Sequence, residues 1–330
     1  MADRNGALMT SVARMYYLEG MAQSEIANVF GVSRSTVSRL LTTARDRGIV
    51  RIAVDDCDPF DHDLERSLVE DFGLGQAIVV RGVEGQTDSS RRAVAYFAAP
   101  VVADWIRTAG LVGITGGRTL AQLIPFMTQQ SQSGPLNIVP LMGMVGSAPS
   151  GTEASEMTRS IARRFEAGFH TINAPLFMDA QASRDLLVSH QHISSVLNVF
   201  PTLDLALVGI GTLDDSVLAE RKAIRPTDLD VLRARGAVGE ICGRFFDANG
   251  DECDTALRDQ VISIDLGTLR RVPRVAAITT GSTRIEAIRA AARGKLIHTL
   301  ITDDLTARSV LADPPLALVA AESTGREWSD

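Results

Sequence analysis

The stretch Gln23-Ser24-Glu25-Ile26-Ala27-Asn28-Val29-Phe30-Gly31-Val32-Ser33-Arg34-Ser35-Thr36-Val37-Ser38-Arg39-Leu40-Leu41 reads as two short helices joined by a tight turn. Ile26, Ala27 and Phe30 lay an apolar stripe along the first helix, and Val37, Leu40 and Leu41 repeat it on the second. Gly31 supplies the backbone freedom to leave the first helix, and Ser33 can cap the amides that open the second. The second helix carries Arg34, Ser35, Thr36, Ser38 and Arg39 off its apolar face. A plain solvated helix mixes acids with bases. Hydroxyls near the start of a helix, followed by arginines, suit phosphates and guanine edges in a DNA major groove. An ordinary helical hairpin is the plainer alternative; turn, cap and charge together favour DNA.

Working outward, Ala7 to Gly20 is expected as a supporting helix with Leu8, Val12, Met15 and Leu18 on one side. Ala22 stands where a capping Ser or Thr would help the next helix. Beyond the second helix, Gly48 breaks the pattern and Ile49–Val54 is β-prone, which suggests a wing with Arg47 and Arg51 near backbone phosphates. The whole chain has a formal net charge of -7, yet Gly31 to Arg51 holds five arginines against the single acid Asp46. A basic patch on an acidic body fits specific binding to double-stranded operator DNA rather than indiscriminate coating. The candidate DNA contacts are Gln23, Ser33, Arg34, Ser35, Thr36, Ser38, Arg39, Arg45 and Arg51. Asp55-Asp56-Cys57-Asp58-Pro59 then punctuates the chain. The expected division is a DNA-binding domain over 1–54, a linker over 55–60 and a larger domain over 61–330.

The 330 residues, 45% hydrophobic and 22% charged, have the composition of a globular protein. Cys57, Cys242 and Cys253 are too few and too scattered for a disulfide framework or a zinc site, so a reduced, cytoplasmic protein is expected. His190 and His192 are the only histidines with close spacing, and they lie in a polar helical stretch; no metal is expected. The N-terminus lacks a signal-peptide pattern, and no apolar run is long enough to span a membrane.

From Asp61 the pattern alternates between helices and short apolar runs. Ala77–Val80, Leu111–Thr115, Asn137–Met142, Leu205–Ile210, Val275–Thr279 and Thr299–Thr302 read as strands, with helical segments between them. This predicts an α/β domain with a mainly parallel sheet covered on both faces. In such sheets ligands bind beyond the carboxyl ends of the strands. Four Gly-containing loops share that end: Thr115-Gly116-Gly117-Arg118-Thr119, Gly143–Ser147, Gly209-Ile210-Gly211-Thr212 and Thr280-Gly281-Ser282-Thr283. Two of them open a helix, where amides and the helix dipole favour an anion. Together they favour a small polar ligand with a phosphate. Asp247, before Asn249-Gly250, reads equally well as a turn residue or as an acceptor for sugar hydroxyls.

The chain resembles the SorC family of sugar-responsive transcriptional regulators over nearly its whole length. Tyr16–Gly20 through Ser33–Leu41 is similar to the family's helix-turn-helix, and Gly113–Leu120, Asp204–Gly211, Gly236–Asp247 and Leu300–Asp303 to its effector-domain motifs. The resemblance implies a winged helix-turn-helix followed by a Rossmann-like effector domain akin to sugar-phosphate isomerases and deaminases. It also implies a homodimer or homotetramer whose DNA-bound state responds to a sugar, polyol or sugar phosphate, as in control of a carbohydrate-utilisation operon. It places the family's phosphate loop at Thr115, Gly116, Gly117, Arg118 and Thr119 and its sugar contacts near Met142, Gly143, Asp247 and Ser282; the reading of the glycine loops adds Gly209, Gly211 and Gly281 as candidate effector contacts. Some relatives carry lysine at the Met142 position, and one uses it for a Schiff base. Here the only lysines are Lys222 and Lys295, so no imine chemistry and no cofactor is expected, and a monophosphate or free sugar is favoured over a bisphosphate. The alternative is an isomerase- or deaminase-like enzyme with an added DNA-binding head, for which Asp247 and Glu240 are the candidate acid/base groups.

Overall fold

The computed structural model describes residues 2–50, 58–82, 87–128, 134–146 and 150–312. It falls into two compact units, Met1–Asp58 and Pro59–Asp330. In the first, α1 (Ala2–Tyr17), α2 (Gln23–Phe30) and α3 (Arg34–Asp46) pack around Met9, Val12, Ala13, Ile26, Ala27, Val37, Leu41 and Ala44. The first helix is displaced toward the N-terminus from the sequence expectation. It ends at Tyr17, where the Leu18 and Glu19 amides turn back to the Arg14 carbonyl, and Leu18 stands 78% exposed rather than in the core. Gly31 closes α2 in the left-handed region at φ 65°, with its amide and that of Val32 returning to Asn28 and Ala27. Ser33 caps α3 by accepting from the Thr36 amide at 3.1 Å. At the start of α2 the missing cap is offset from within: Glu25 reaches back to accept from the Ala22 amide at 2.7 Å. After α3, Arg47 to Val50 form turn and bend with no strand; the rest of the expected wing, Arg51 to Val54, lies outside the described residues.

The second unit begins with Pro59 and Phe60, placed in the expected linker. They are held to this unit, Pro59 through its carbonyl to the Arg81 amide at 2.8 Å and Phe60 through a bridge to Val80; Asp55–Cys57 lie outside the described residues. The elements that follow are α4 (His62–Phe72), β1 (Gln76–Val80), α5 (Thr87–Thr108), β2 (Leu111–Ile114), α6 (Arg118–Leu123), β3 (Asn137–Pro140), α7 (Ala154–Arg164) and β4 (Gly168–Phe169). Then come α8 (Gln181–Ser189), α9 (Gln191–Leu197), β5 (Leu205–Val208), α10 (Val217–Glu220), α11 (Pro226–Ala234) and a hairpin of β6 (Gly239–Ile241) with β7 (Arg244–Phe246). The last elements among the described residues are α12 (Ala256–Gln260), α13 (Leu266–Arg271), β8 (Arg274–Ile278), α14 (Ile285–Arg293), β9 (Thr299–Asp303) and α15 (Asp304–Ala312).

Seven strands form one parallel sheet in the order β1-β9-β8-β5-β2-β3-β4. Alternation along each strand sends side chains to two apolar layers. Ile78, Val80, Val112, Ile114, Leu205 and Leu207 face α5, α6 and α7, whereas Ala77, Val79, Ala206 and Val208 face the layer built from α4, α9, α13, α14 and α15. From β2 the chain steps outward through β3 to β4, then returns to place β5 on the other side of β2 and continues to β8 and β9. The strand order therefore reverses between β2 and β5, the point in an open α/β sheet where loops splay apart and leave a crevice. No helix among the described residues is long and apolar enough to cross a membrane.

Candidate functional site

The crevice at the reversal is a cavity of about 740 Å³, counting its open mouth. Its wall includes Thr115–Thr119 after β2, Met142–Val145 after β3, Gly209–Gly211 after β5 and Thr279 after β8. Short side chains are required where these loops meet. A Cβ at Gly116 would sit 2.7 Å from the Thr152 carbonyl oxygen, one at Gly143 2.7 Å from those of Ala174 and Pro175, and one at Gly211 2.4 Å from the Glu240 carboxylate. Gly117 differs: a Cβ there would meet nothing within 4 Å. Thr115 ties two loops together, accepting from the Gly209 amide while donating to the Gly116 carbonyl, both at 3.0 Å.

Three carboxylates and two arginines line the cavity. Arg284 follows the fourth glycine loop, and its side chain is only 7% exposed. A buried guanidinium needs partners. It donates to the Thr280 carbonyl at 2.6 Å and meets the Asp215 carboxylate at 2.7 Å. Asp215 also accepts from Arg118 and, at 2.6 Å, from the Thr283 hydroxyl. Burial pushes Asp215 toward protonation, but the Thr283 and Arg118 hydrogen bonds and the Arg284 charge outweigh it, and its pKa lies below the ordinary value. Arg118 has a second partner in Glu220 at 2.6 Å. At the rim, Arg221 bridges the Val145 carbonyl and Glu153. Glu240, on β6, is buried, and desolvation raises its pKa to about 7 against the Gly243 N–H and the Arg284 charge. Beside it Cys242, held at φ 56° in the hairpin turn, is a buried thiol whose pKa is pushed up by the same desolvation.

The expected effector residues divide. Thr115, Gly116, Gly117, Arg118, Thr119, Met142, Gly143, Gly209 and Gly211 line the cavity together. Asp247, Gly281 and Ser282 do not. Asp247 Oδ1 accepts from the amides of Asn249 and Asp251 within its own turn. Gly281 takes φ 110° to swing the chain into α14 and bonds the Thr306 hydroxyl, while Ser282 is exposed. Ser147 lies outside the described residues. Asp215, Arg284 and Glu153 were not among the sequence candidates. The available signal was Arg284 itself: an arginine at a helix start opposes the helix dipole and calls for a carboxylate. Neither lysine reaches the cavity; both are exposed on turns.

In the first unit, α3 presents Ser33, Arg34, Ser35, Ser38, Arg39 and Arg45 as exposed residues, with Thr36 and Gln23 half-buried; Arg51 lies outside the described residues. Among the described residues Arg34, Arg39, Arg45 and Arg47 make no ion pair, whereas both arginines of the cavity wall do. Ser35 and Thr36 hydroxyls meet Ser33 Oγ at 2.7 and 2.9 Å, gathering three hydroxyls at the start of α3. That is a helix prepared for an anionic partner.

A helix-turn-helix with a basic, unpaired second helix, joined to an α/β unit with a polar crevice at its switch point, defines a DNA-binding transcriptional regulator with a small-molecule effector domain. Comparison with known proteins agrees. Residues 59–312 match the family described as "Putative sugar-binding domain", and residues 10–47 match "Sigma-70, region 4". The chain is 31% identical to the sorbitol operon regulator of Klebsiella pneumoniae, across 92% of this chain and 97% of that one. It is 30% identical to the deoxyribonucleoside regulator of Bacillus subtilis, across 93% and 97%. The crystal structure of the full-length Klebsiella regulator superposes with a TM-score of 0.73 at 30% identity, covering 92% of this chain and 98% of that one. The chain belongs to the SorC family of sugar-binding transcriptional regulators.

Proposed function

We propose that the cavity at the β2/β5 reversal is the effector site and that it takes a compact carbohydrate: a sugar, a polyol or a sugar phosphate. The observation that carries this reading is the convergence of four strand-end loops, distant in sequence, on one crevice of small-molecule size lined by glycines, threonine hydroxyls and paired charges. Relatives named for sorbitol, deoxyribonucleosides and erythritol point to the same ligand class. Ser33, Arg34, Ser35, Thr36, Ser38, Arg39 and Arg45 contact operator DNA, with Gln23 at the edge of the interface. A homodimer or homotetramer joins two such heads to the two halves of an operator. The effector acts by binding one arrangement of that oligomer better than the other, since equal affinity would shift nothing.

The chain acts as a regulator and not as an enzyme in this reading. Glu240, whose pKa is raised to about 7, has its Oε2 occupied by the Gly243 N–H, and the lining contains neither histidine nor lysine to share acid/base work. A thermal-shift screen of the purified chain against sugars, polyols and their phosphates tests the effector reading. A ligand at about 100 times its Kd adds roughly 2.7 kcal/mol of stability, a readily visible shift. A screen of this breadth without a hit would remove the effector reading; turnover of a hit, lost in Glu240→Gln, would restore the enzymatic one.

A further inference from the structure

Both arginines of the cavity wall are already engaged by carboxylates of the same chain. Arg118 stands at the end of β2 and Arg284 beyond the end of β8; Asp215 comes from the loop after β5, the strand between them. Its two oxygens accept from two guanidinium groups and a hydroxyl: Arg118 and Arg284 on Oδ1, Thr283 on Oδ2. Two guanidinium groups and a hydroxyl on one anion make up the donor set that a phosphate group would recruit. The carboxylate is also fixed from behind. The Asp215 amide donates to the Thr212 hydroxyl at 3.0 Å, the Thr212 amide returns to the Asp215 carbonyl at 3.2 Å, and Ser216 caps α10.

We propose that Asp215 is a resident anion of this cavity, occupying the place between Arg118 and Arg284 that a phosphate would take, and that it is the residue that sets discrimination between phosphorylated and uncharged carbohydrates. The proposal rests on the cavity being the effector site. A polyol or free sugar enters with the Arg118–Asp215–Arg284 bridge intact and bonds to hydroxyls and backbone. A phosphorylated ligand meets a carboxylate where it needs cations. Glu220 adds a second negative charge on Arg118, and Arg221 is taken by Glu153. The phosphate must therefore displace Asp215 from three donors before it binds. Replacing the carboxylate by the amide of the same shape removes that competition, leaving Arg284 without its carboxylate and Arg118 with Glu220 alone.

The test is calorimetric titration of inorganic phosphate into the full chain and its variants. Asp215→Asn is expected to bind phosphate about tenfold or more tightly than the natural chain, the effect of removing one like charge at contact distance from the ligand. Arg118→Met on the Asp215→Asn background should return the affinity to the natural level. Asp215→Ala, which removes the carboxylate and keeps all three donors, should give a gain in the same direction, and it carries the test if Asp215→Asn does not fold. Unchanged phosphate affinity in a folded Asp215→Asn or Asp215→Ala chain overturns the proposal. So does a gain that survives Arg118→Met, which would place the anion elsewhere. A chain that gains phosphate in Asp215→Asn yet responds to no carbohydrate would overturn the effector reading, and with it the role in carbohydrate discrimination, and would leave only Asp215 as the resident anion between Arg118 and Arg284.

Discussion

Glu240→Gln isolates the cost of one buried carboxylate. Glu240 sits behind Gly211 with its backbone bonded to that residue at 3.0 and 2.9 Å, and its Oε2 accepts from the Gly243 amide at 3.1 Å. Burial leads the forces on it and lifts its pKa from 4.5 to about 7. The folded chain thus holds a proton that the unfolded chain releases once pH rises above 4.5. Stability from this group is complete below that pH, falls as pH rises, and is gone above about 7. At about 1.36 kcal/mol per pH unit, the window between the two values makes a loss of roughly 3 kcal/mol. Glutamine cannot ionise and keeps the shape. Urea unfolding of the natural chain and of Glu240→Gln at pH 5 and pH 8 is the assay, because subtracting the two cancels every other titrating group. The variant should gain about 2–3 kcal/mol on the natural chain between pH 5 and pH 8. A difference that does not change with pH would refute the argument.

Other substitutions probe the remaining links. Ser33→Ala removes the cap of α3 and should cost about 1 kcal/mol of stability in the DNA-binding unit, read by thermal unfolding, with weaker operator binding alongside. Arg39→Ala should weaken operator binding by about 1–3 kcal/mol in a titration of labelled duplex; repeating it across salt concentrations tells a base contact from a phosphate contact, since only the latter lowers the salt slope by about 1. Phe165→Ala empties a fully buried position between α7 and the sheet and should cost about 3–5 kcal/mol, measured by urea unfolding, with operator affinity unchanged while the chain stays folded.

The parts of this fold that are local in the chain were legible in the sequence. A left-handed glycine, a capping serine and two apolar stripes specify the helix-turn-helix within 19 residues, and each was read where the structure has it. Parallel strands buried on both faces announce themselves as short apolar runs, so six of the seven sheet strands were placed. β4 escaped because two exposed residues, Gly168 and Phe169, carry no pattern. Leu18 misled because it keeps helical spacing past the point where the chain turns back on Arg14. In the cavity, the glycine loops were legible through position alone, each directly after a strand. The charges were not. Arg118, Asp215 and Arg284 are far apart in sequence and meet only because β2, β5 and β8 are neighbours in the sheet, an order that no local pattern encodes. Asp247 shows the converse: its turn, with Oδ1 accepting from the Asn249 and Asp251 amides, is local and was readable before Asn249-Gly250.

Whether occupancy of the switch-point cavity alters DNA binding can be tested directly at Gly117, because a side chain there enters open space rather than a packed wall. The measurement is the affinity of the full chain for its own promoter DNA, with and without each carbohydrate that stabilises it, for the natural chain and for Gly117→Leu. At least one such carbohydrate should change DNA affinity in the natural chain and have no effect on Gly117→Leu, which should bind the same DNA as tightly as the natural chain does without ligand. A carbohydrate that changes DNA affinity equally in both proteins would contradict the effector reading of the cavity.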